Sequence, residues 1–192
     1  MKLKISLILL FIIQFSFSQT KNEKEERIPK ELFPTRALKL INNLHTNCKR
    51  IRFYKETDGD KKSYEVKFKY QKKKYSIEFS EDGILEDIEV LIKFKNLEKV
   101  IRANIKTHFK SSYKKYKLIK VQAQYLSQND ADLDKFIEDV LNNNEAIQPN
   151  FEIIAEVRDV KKREIKEFTF NSKGEFIKDR TLEPESYEHV LY

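Results

Sequence analysis

From Tyr64 to Tyr70 the chain alternates without a break, with Tyr64, Val66, Phe68 and Tyr70 on one side and Glu65, Lys67 and Lys69 on the other. A two-residue period is that of a β-strand with one apolar and one wet face. After a polar turn at 71–74, Tyr75, Ile77 and Phe79 continue the apolar face, and beyond Glu81-Asp82-Gly83 a further strand runs through Ile84, Ile88, Val90 and Ile92. Upstream, Ile51 and Phe53 open a strand that ends at Thr57-Asp58-Gly59-Asp60, whose glycine accepts the positive φ of a hairpin turn. Before that strand, Ala37, Leu38, Ile41, Leu44 and Cys48 recur at three- and four-residue steps, which predicts a helix over 35–47 with Pro34 where a missing amide is tolerated.

The same order then recurs. Leu97, Val100, Ile101, Ile105 and Phe109 fall at helical spacing, 118–125 is rich in strand formers, and strands are predicted at 151–158, 166–170 and 175–180. Tyr64-Glu65-Val66-Lys67-Phe68 answers Phe151-Glu152-Ile153-Ile154-Ala155, and Phe79-Ser80-Glu81-Asp82-Gly83 answers Phe170-Asn171-Ser172-Lys173-Gly174. The expected fold class is therefore α+β, with two tandem helix-plus-antiparallel-meander repeats, 34–94 and 95–183, forming one curved antiparallel sheet with helices on one face. Glu65, Lys67, Lys69, Ser76 and Glu78 are expected to face outward from it as a recognition platform. The second repeat carries an insertion in which Leu133, Phe136, Ile137, Val140 and Leu141 form a complete helical stripe behind the capping residue Asp130, predicting an extra helix over 131–142. The tail 184–192 has no decisive period.

The chain opens on a different device. Lys2 and Lys4 precede an apolar run from Ile5 to Phe17, and Ser16 and Ser18 supply small residues before a cut, so 1–18 is expected to be a signal peptide cleaved between Ser18 and Gln19. The run is shorter than the ~20 residues a bilayer core needs, and no later segment is apolar enough to span one. Export with the single cysteine, Cys48, leaves no internal disulfide, so a hydrophobic core must hold the fold. The stretch 19–33 reads as a flexible leader, polar and without period. Lys2 and Lys4 contribute two of the formal charges of +7, and both signs are interspersed along the chain, as on an ordinary solvated surface.

Helix, strand, Tyr-Glu-Val on the next strand, and an aromatic residue four positions before a turn glycine together resemble the PepSY-like and beta-lactamase-inhibitor-protein-like (BLIP-like) exported bacterial proteins. The residues that carry the likeness are Tyr64, Glu65, Val66, Phe79, Asp82 and Gly83, then Phe151, Glu152, Ile153, Phe170 and Gly174, within a span from Pro34 to Thr181. Phe33-Pro34 approximates the Leu-Pro step before each helix of that group, and Asn96-Leu97 lacks the proline. The resemblance implies an extracytoplasmic binding or inhibitory module, with no catalytic residues or cofactor to carry across.

Candidate chemistry is sparse. The histidines, His45, His108 and His189, show no metal-ligand spacing, and Asp130, Asp132 and Asp134 lack the glycine and closing glutamate of a calcium loop. No nucleophile elbow, Ser-x-x-Lys motif or glycine-rich phosphate loop is present. The sharpest feature is the candidate binding surface Lys110, Tyr113, Lys114, Lys115, Tyr116, Lys117 and Lys120, where tyrosines alternate with lysines as in a stacking, phosphate-binding segment. Three readings follow: an exported non-enzymatic module that binds another envelope or extracellular protein, a binder of nucleic acid, sulfated glycan or anionic lipid through 110–120, and a hydrolase whose carboxylates converge from different strands. No cofactor is expected, and 110–150 is where specificity is expected to reside.

Overall fold

Ten strands of a single sheet account for most of the described chain. The structure, a computed structural model, describes residues 19–42, 44, 47–127, 132–160 and 162–183. In chain order the elements are β1 (Gln19–Lys21), β2 (Glu23–Ile28), α1 (Thr35–Asn42), β3 (Lys49–Asp58), β4 (Lys61–Tyr70), β5 (Lys73–Ser80), β6 (Leu85–Leu91), α2 (Lys99–Ser112), β7 (Lys115–Leu126), α3 (Leu133–Leu141), β8 (Asn150–Arg158), β9 (Arg163–Phe170) and β10 (Phe176–Leu182). The expected signal peptide 1–18 and tail 184–192, together with Asp130, His45 and His189, lie outside the described residues.

The strand order is β1-β10-β9-β8-β7-β6-β5-β4-β3-β2. Its two edges, β1 and β2, are neighbours in sequence, separated only by Asn22. The N-terminal strand therefore straps one edge to the other: β1 runs parallel to β10, and β2 runs antiparallel to β3. At the seam the Asn22 amide donates to Asp58 Oδ1 at 2.9 Å, and the Glu183 amide donates to the Lys21 carbonyl at 3.0 Å. Irregular register at Lys49/Arg52, Glu78/Phe79, Leu118/Lys120 and Phe176/Lys178 supplies bulges, which bend strands and raise local twist. A ten-stranded sheet so bent closes nearly into a barrel.

That outcome corrects the expected fold class. The protein is mostly β, with three α-helices among the described residues, and is not an α+β pair of tandem helix-plus-meander repeats in an open curved sheet. β6 pairs with β7 from Asp87↔Leu126 to Leu91↔Gln122, so the strands after α1 and those after α2 run on as one wall. The stretch 19–33, read from its polarity as a leader without fold, instead supplies β1, β2 and a 3-10 turn at Lys30–Leu32.

The apolar face of the wall points out, beneath the helices. Phe33, just before α1, meets Phe53, Tyr64 and Phe79 edge-on at 5.0, 5.6 and 5.8 Å between ring centroids. On α2, Ile105 and Phe109 are fully buried, with Phe109 at 4.7 Å from Phe168 and stacked on Tyr116 at 4.9 Å. α3 buries Ile137, Val140 and Leu141, and its cap is Asp132, whose carboxylate accepts from the Lys135 amide at 3.0 Å. Each such side chain contributes about 1.5–3 kcal/mol by leaving water. Two turns abut the helices: Gly83 (φ +72°) lies against Ala37 of α1, and Gly174 (φ +77°) against Ile101 of α2.

Candidate functional site

Closure puts the polar face inside. Glu65 and Ser76, expected to face solvent, retain 7% and 8% of their exposure, and Lys67 and Glu78 are also part-buried. Strand alternation places the polar positions of each strand on this inner side, where residues far apart in the sheet meet across the interior. Arg180 of β10 pairs with Asp58 of β3 at 3.0 Å, and Lys67 of β4 reaches over β3 to bind Glu25 of β2.

Two ion-pair groups organise one side of this interior. Glu167 on β9 receives Lys21 at 2.8 Å and Arg180 at 2.7 Å. Burial alone would push the Glu167 carboxyl up, but these two cations outweigh it and bring it down to about 2. Lys67 lies 2.8 Å from Glu65 and also binds Glu25, while Glu56 shares a hydrogen bond with Glu65. Burial and the Glu65 carboxylate raise Glu56 well above its usual value, so Glu56 holds the shared proton. Burial opposes ionisation of Glu65 too, yet Lys67 keeps it below the ordinary carboxylate value. Carboxylate oxygens of Glu25, Glu56 and Glu65 lie within 4.8 Å of one another, the spacing of a metal cage. The Lys67 ammonium already pairs with two of the three, Glu25 and Glu65, and its charge repels a second cation.

The other side differs. Asp87 and Glu89 on β6 and Glu152 on β8 make no salt bridge among the described residues; carboxamides and one hydroxyl donate to them, Glu89 shares a hydrogen bond with Glu152, and the charges of Lys120 and Lys21 favour ionised Glu89. Gln124 Nε2 reaches Asp87 Oδ2 at 2.8 Å and Glu152 Oε1 at 3.1 Å, and Gln122 Nε2 binds Glu89. Ser76 Oγ adds a 3.4 Å contact to Glu89. Burial, then the neighbouring acids, raises Asp87 and Glu152 well above ordinary carboxylate values, and burial raises Glu89. At the rim, Lys61 bridges Glu86 at 2.7 Å and Glu78 at 3.4 Å.

Carboxylates of different strands thus converge, as the hydrolase reading requires. Glu65, Asp87 and Glu167 each keep under a tenth of their exposure, and the ion pairs of Glu65 with Lys67 and of Glu167 with Lys21 and Arg180 engage two of them within the protein.

Outside the barrel, α3 and α1 border a cleft of about 500 Å³ lined by Leu40, Leu44, Ile137 and Leu141, with Asp134, Glu138 and Asn142 among its polar groups. α3 is the inserted helix of the 110–150 stretch.

The segment 110–120 is split by the fold. Tyr113 and Tyr116 pack toward the core, Tyr113 edge-on to Phe168 at 5.8 Å and Tyr116 stacked on Phe109. Lys120 is half-buried and turned to the interior, where its charge favours ionised Glu89. Lys110, Lys114, Lys115 and Lys117 remain exposed. His108 stacks on Phe176 at 4.2 Å, and burial lowers its basicity. Cys48 is half-buried, and burial pushes its thiol up. Asp58-Gly59-Asp60 forms the β3–β4 turn, with Asp58 held at the seam.

Sequence reasoning missed the interior acids because each carboxylate alone looks like an exposed strand residue. The available signal was their recurrence at the non-apolar positions of successive strands: Glu56, Glu65, Glu78, Asp87, Glu152 and Glu167.

Comparison with solved structures places the architecture beside known folds. The chain resembles a DUF2874 family protein from Bacteroides ovatus with a TM-score of 0.51 at 9% identity, over 77% of this chain and 86% of that one. It also aligns with a BLIP-like protein from Bacteroides fragilis with a TM-score of 0.48 at 14% identity, over 78% and 87% of the two chains. At such identities the first likeness concerns fold alone. No protein-family model matches the chain, and no curated protein matches it. The PepSY-like and tandem-repeat parts of the sequence resemblance gain no support from these neighbours. No helix among the described residues is long and apolar enough to cross a membrane.

Proposed function

We propose that this is an exported, non-enzymatic binding protein that docks a segment of another envelope or extracellular protein in the cleft between α1 and α3. The observation that carries the reading is an apolar floor, Leu40, Leu44, Ile137 and Leu141, bordered by the acids Asp134 and Glu138 on a chain whose net charge is positive. An apolar anchor flanked by lysine or arginine fits that surface, since clefts of this size take a few large side chains and charge at the rim selects the approach. Export rests on the expected signal peptide, residues 1–18. The inner face is withdrawn from such a role because the closed wall engages it with itself.

The alternative is polyanion binding, which rests on the exposed Lys110, Lys114, Lys115 and Lys117. One set of variants separates the two. A partner captured by the mature chain is purified and titrated against Glu138→Lys with Leu40→Glu, and against Lys114→Glu with Lys115→Glu. The cleft reading expects the first pair to weaken binding at least about tenfold, equivalent to about 1.4 kcal/mol, and the second to leave it unchanged. The reverse pattern, with heparin binding that falls steeply as salt rises, overturns it in favour of the polyanion.

A further inference from the structure

We infer that the end of the barrel where β3, β5, β7 and β9 begin and β2, β4 and β8 end is a binding site for a compact polyvalent anion, a small molecule that carries several phosphate groups. It stands apart from the cleft and goes beyond the docking reading. Deeper in the barrel, ion pairs such as Lys67 with Glu65 and Lys21 with Glu167 engage the inner face with itself, and they show which positions point inward. Register partners share a face, and the face repeats every second residue. Arg52, opposite Lys67, therefore turns inward at the start of β3, and the opposed Lys69 and Lys74 do so at the end of β4 and the start of β5. Ile154 stands opposite Glu167, so the alternate positions Glu156 and Arg158 of β8 turn inward too, with Lys117 and Lys115 of β7 as their partners. All of these cations except Lys69 are exposed.

Cross-strand oppositions at this end set cation against cation: Arg52 faces Lys67, Lys69 faces Lys74, and Arg158 faces both Lys115 and Arg163. Like charges directly opposite one another destabilise a sheet. Acids relieve such crowding by sharing a proton, as Glu56 and Glu65 do, whereas an arginine cannot shed its own. Of the acids near this end, Glu156 pairs with Arg163, Glu25 and Glu65 pair with Lys67, and Glu164 pairs with Lys162. Arg52, Lys69, Lys74, Lys115, Lys117 and Arg158 make no ion pair among the described residues.

The placement of these charges selects the ligand. Neighbouring strands lie about 4.8 Å apart, so two opposed cations can both reach the oxygens of one phosphate group. Such a group carries about −1.5 to −2 charges near pH 7, which matches one opposed pair. Pairs on β4 and β5 and on β7, β8 and β9 face a common opening, so the matching ligand is a small molecule with several such groups. A long polymer would instead follow the outer surface, where Lys110 of α2 and Lys114 precede β7 and lie off this ring.

The test is calorimetric titration of the mature chain with sodium tripolyphosphate at low and at high NaCl, with inorganic phosphate as a parallel arm. The site predicts tripolyphosphate binding that weakens as NaCl rises, and an affinity for inorganic phosphate at least about tenfold lower. Lys69→Gln with Lys74→Gln is expected to weaken tripolyphosphate binding at least about tenfold, because two charge-assisted contacts are lost. Lys110→Gln with Lys114→Gln removes the same net charge outside the ring and is expected to leave the affinity within about threefold of the parent's. Without ligand, the ring pair is expected to unfold at the parent's temperature or above it, since a like-charge opposition is gone. Should that pair not fold, Lys117→Gln with Arg158→Gln reads the same loss from the other wall. No binding of tripolyphosphate at low NaCl, equal affinity for inorganic phosphate, or equal losses inside and outside the ring would overturn the assignment.

Discussion

Glu167 and Asp87 are both buried acids on neighbouring reaches of one interior, yet they couple to pH with opposite sign. Glu167 is held down to about 2 against burial by Lys21 and Arg180, so its contribution is fully present above the unfolded value, near 4.3, and is lost as pH falls toward 2. Burial and Glu89 raise Asp87, so its protonated form favours the fold at low pH and that contribution is lost as pH climbs through the raised value. Urea midpoints near pH 8 are expected to show Glu167→Gln destabilised by about 3 kcal/mol or more, since Lys21 and Arg180 lose their partner. Asp87→Asn is expected to gain about 1–3 kcal/mol there, and to differ little from the parent near pH 5. Changes of the same sign near pH 8 would contradict the assigned environments.

At the scale of elements, the turns that brace the helices are as constrained as the strands. A Cβ on Gly174 would sit 2.7 Å from the Ile101 carbonyl oxygen of α2, whereas one on Gly59 would meet nothing within 4 Å, although both glycines have positive φ. Gly59→Ala is thus expected to cost about 1–2 kcal/mol for the backbone alone. Gly174→Ala should cost more, because α2 must move as well; equal urea midpoints for the two variants would refute the contact. Much of this level was legible in the sequence. Alternation of Tyr64, Val66, Phe68 and Tyr70 against Glu65, Lys67 and Lys69 marked the right two faces of β4, and the stripe from Leu133 to Leu141 marked α3. What alternation does not encode is whether a polar face meets bulk water or another polar face. β2 was illegible for a related reason: Glu23-Lys24-Glu25-Glu26-Arg27 has no apolar period, because ion pairing and edge hydrogen bonds, rather than burial of an apolar stripe, hold it.

On the scale of the whole molecule, closure decides which face of the sheet a partner can meet. A sheet with free edges would leave the acids of β4 to β9 hydrated and give the inner face to a partner, while a sheet strapped by 19–28 confines them and leaves recognition to the exterior. The cleft and the enclosed acid group both depend on that distinction, since one needs the outer surface to be the contact surface and the other needs a low-dielectric interior. Thr20 of β1 is the register partner of Thr181 of β10, across the junction that an open sheet of β2 to β10 would lack. The most direct measurement is therefore a cross-link: Thr20→Cys with Thr181→Cys in a Cys48→Ser background, oxidised mildly as the folded mature chain and mapped by mass spectrometry. Paired strands bring the two Cα atoms within the ~7 Å a disulfide requires. Closure predicts near-complete formation of the 20–181 disulfide without loss of the parent's secondary structure. Two thiols that stay free in a folded chain, with the amides of 19–28 exchanging as fast as an unstructured peptide, would contradict it.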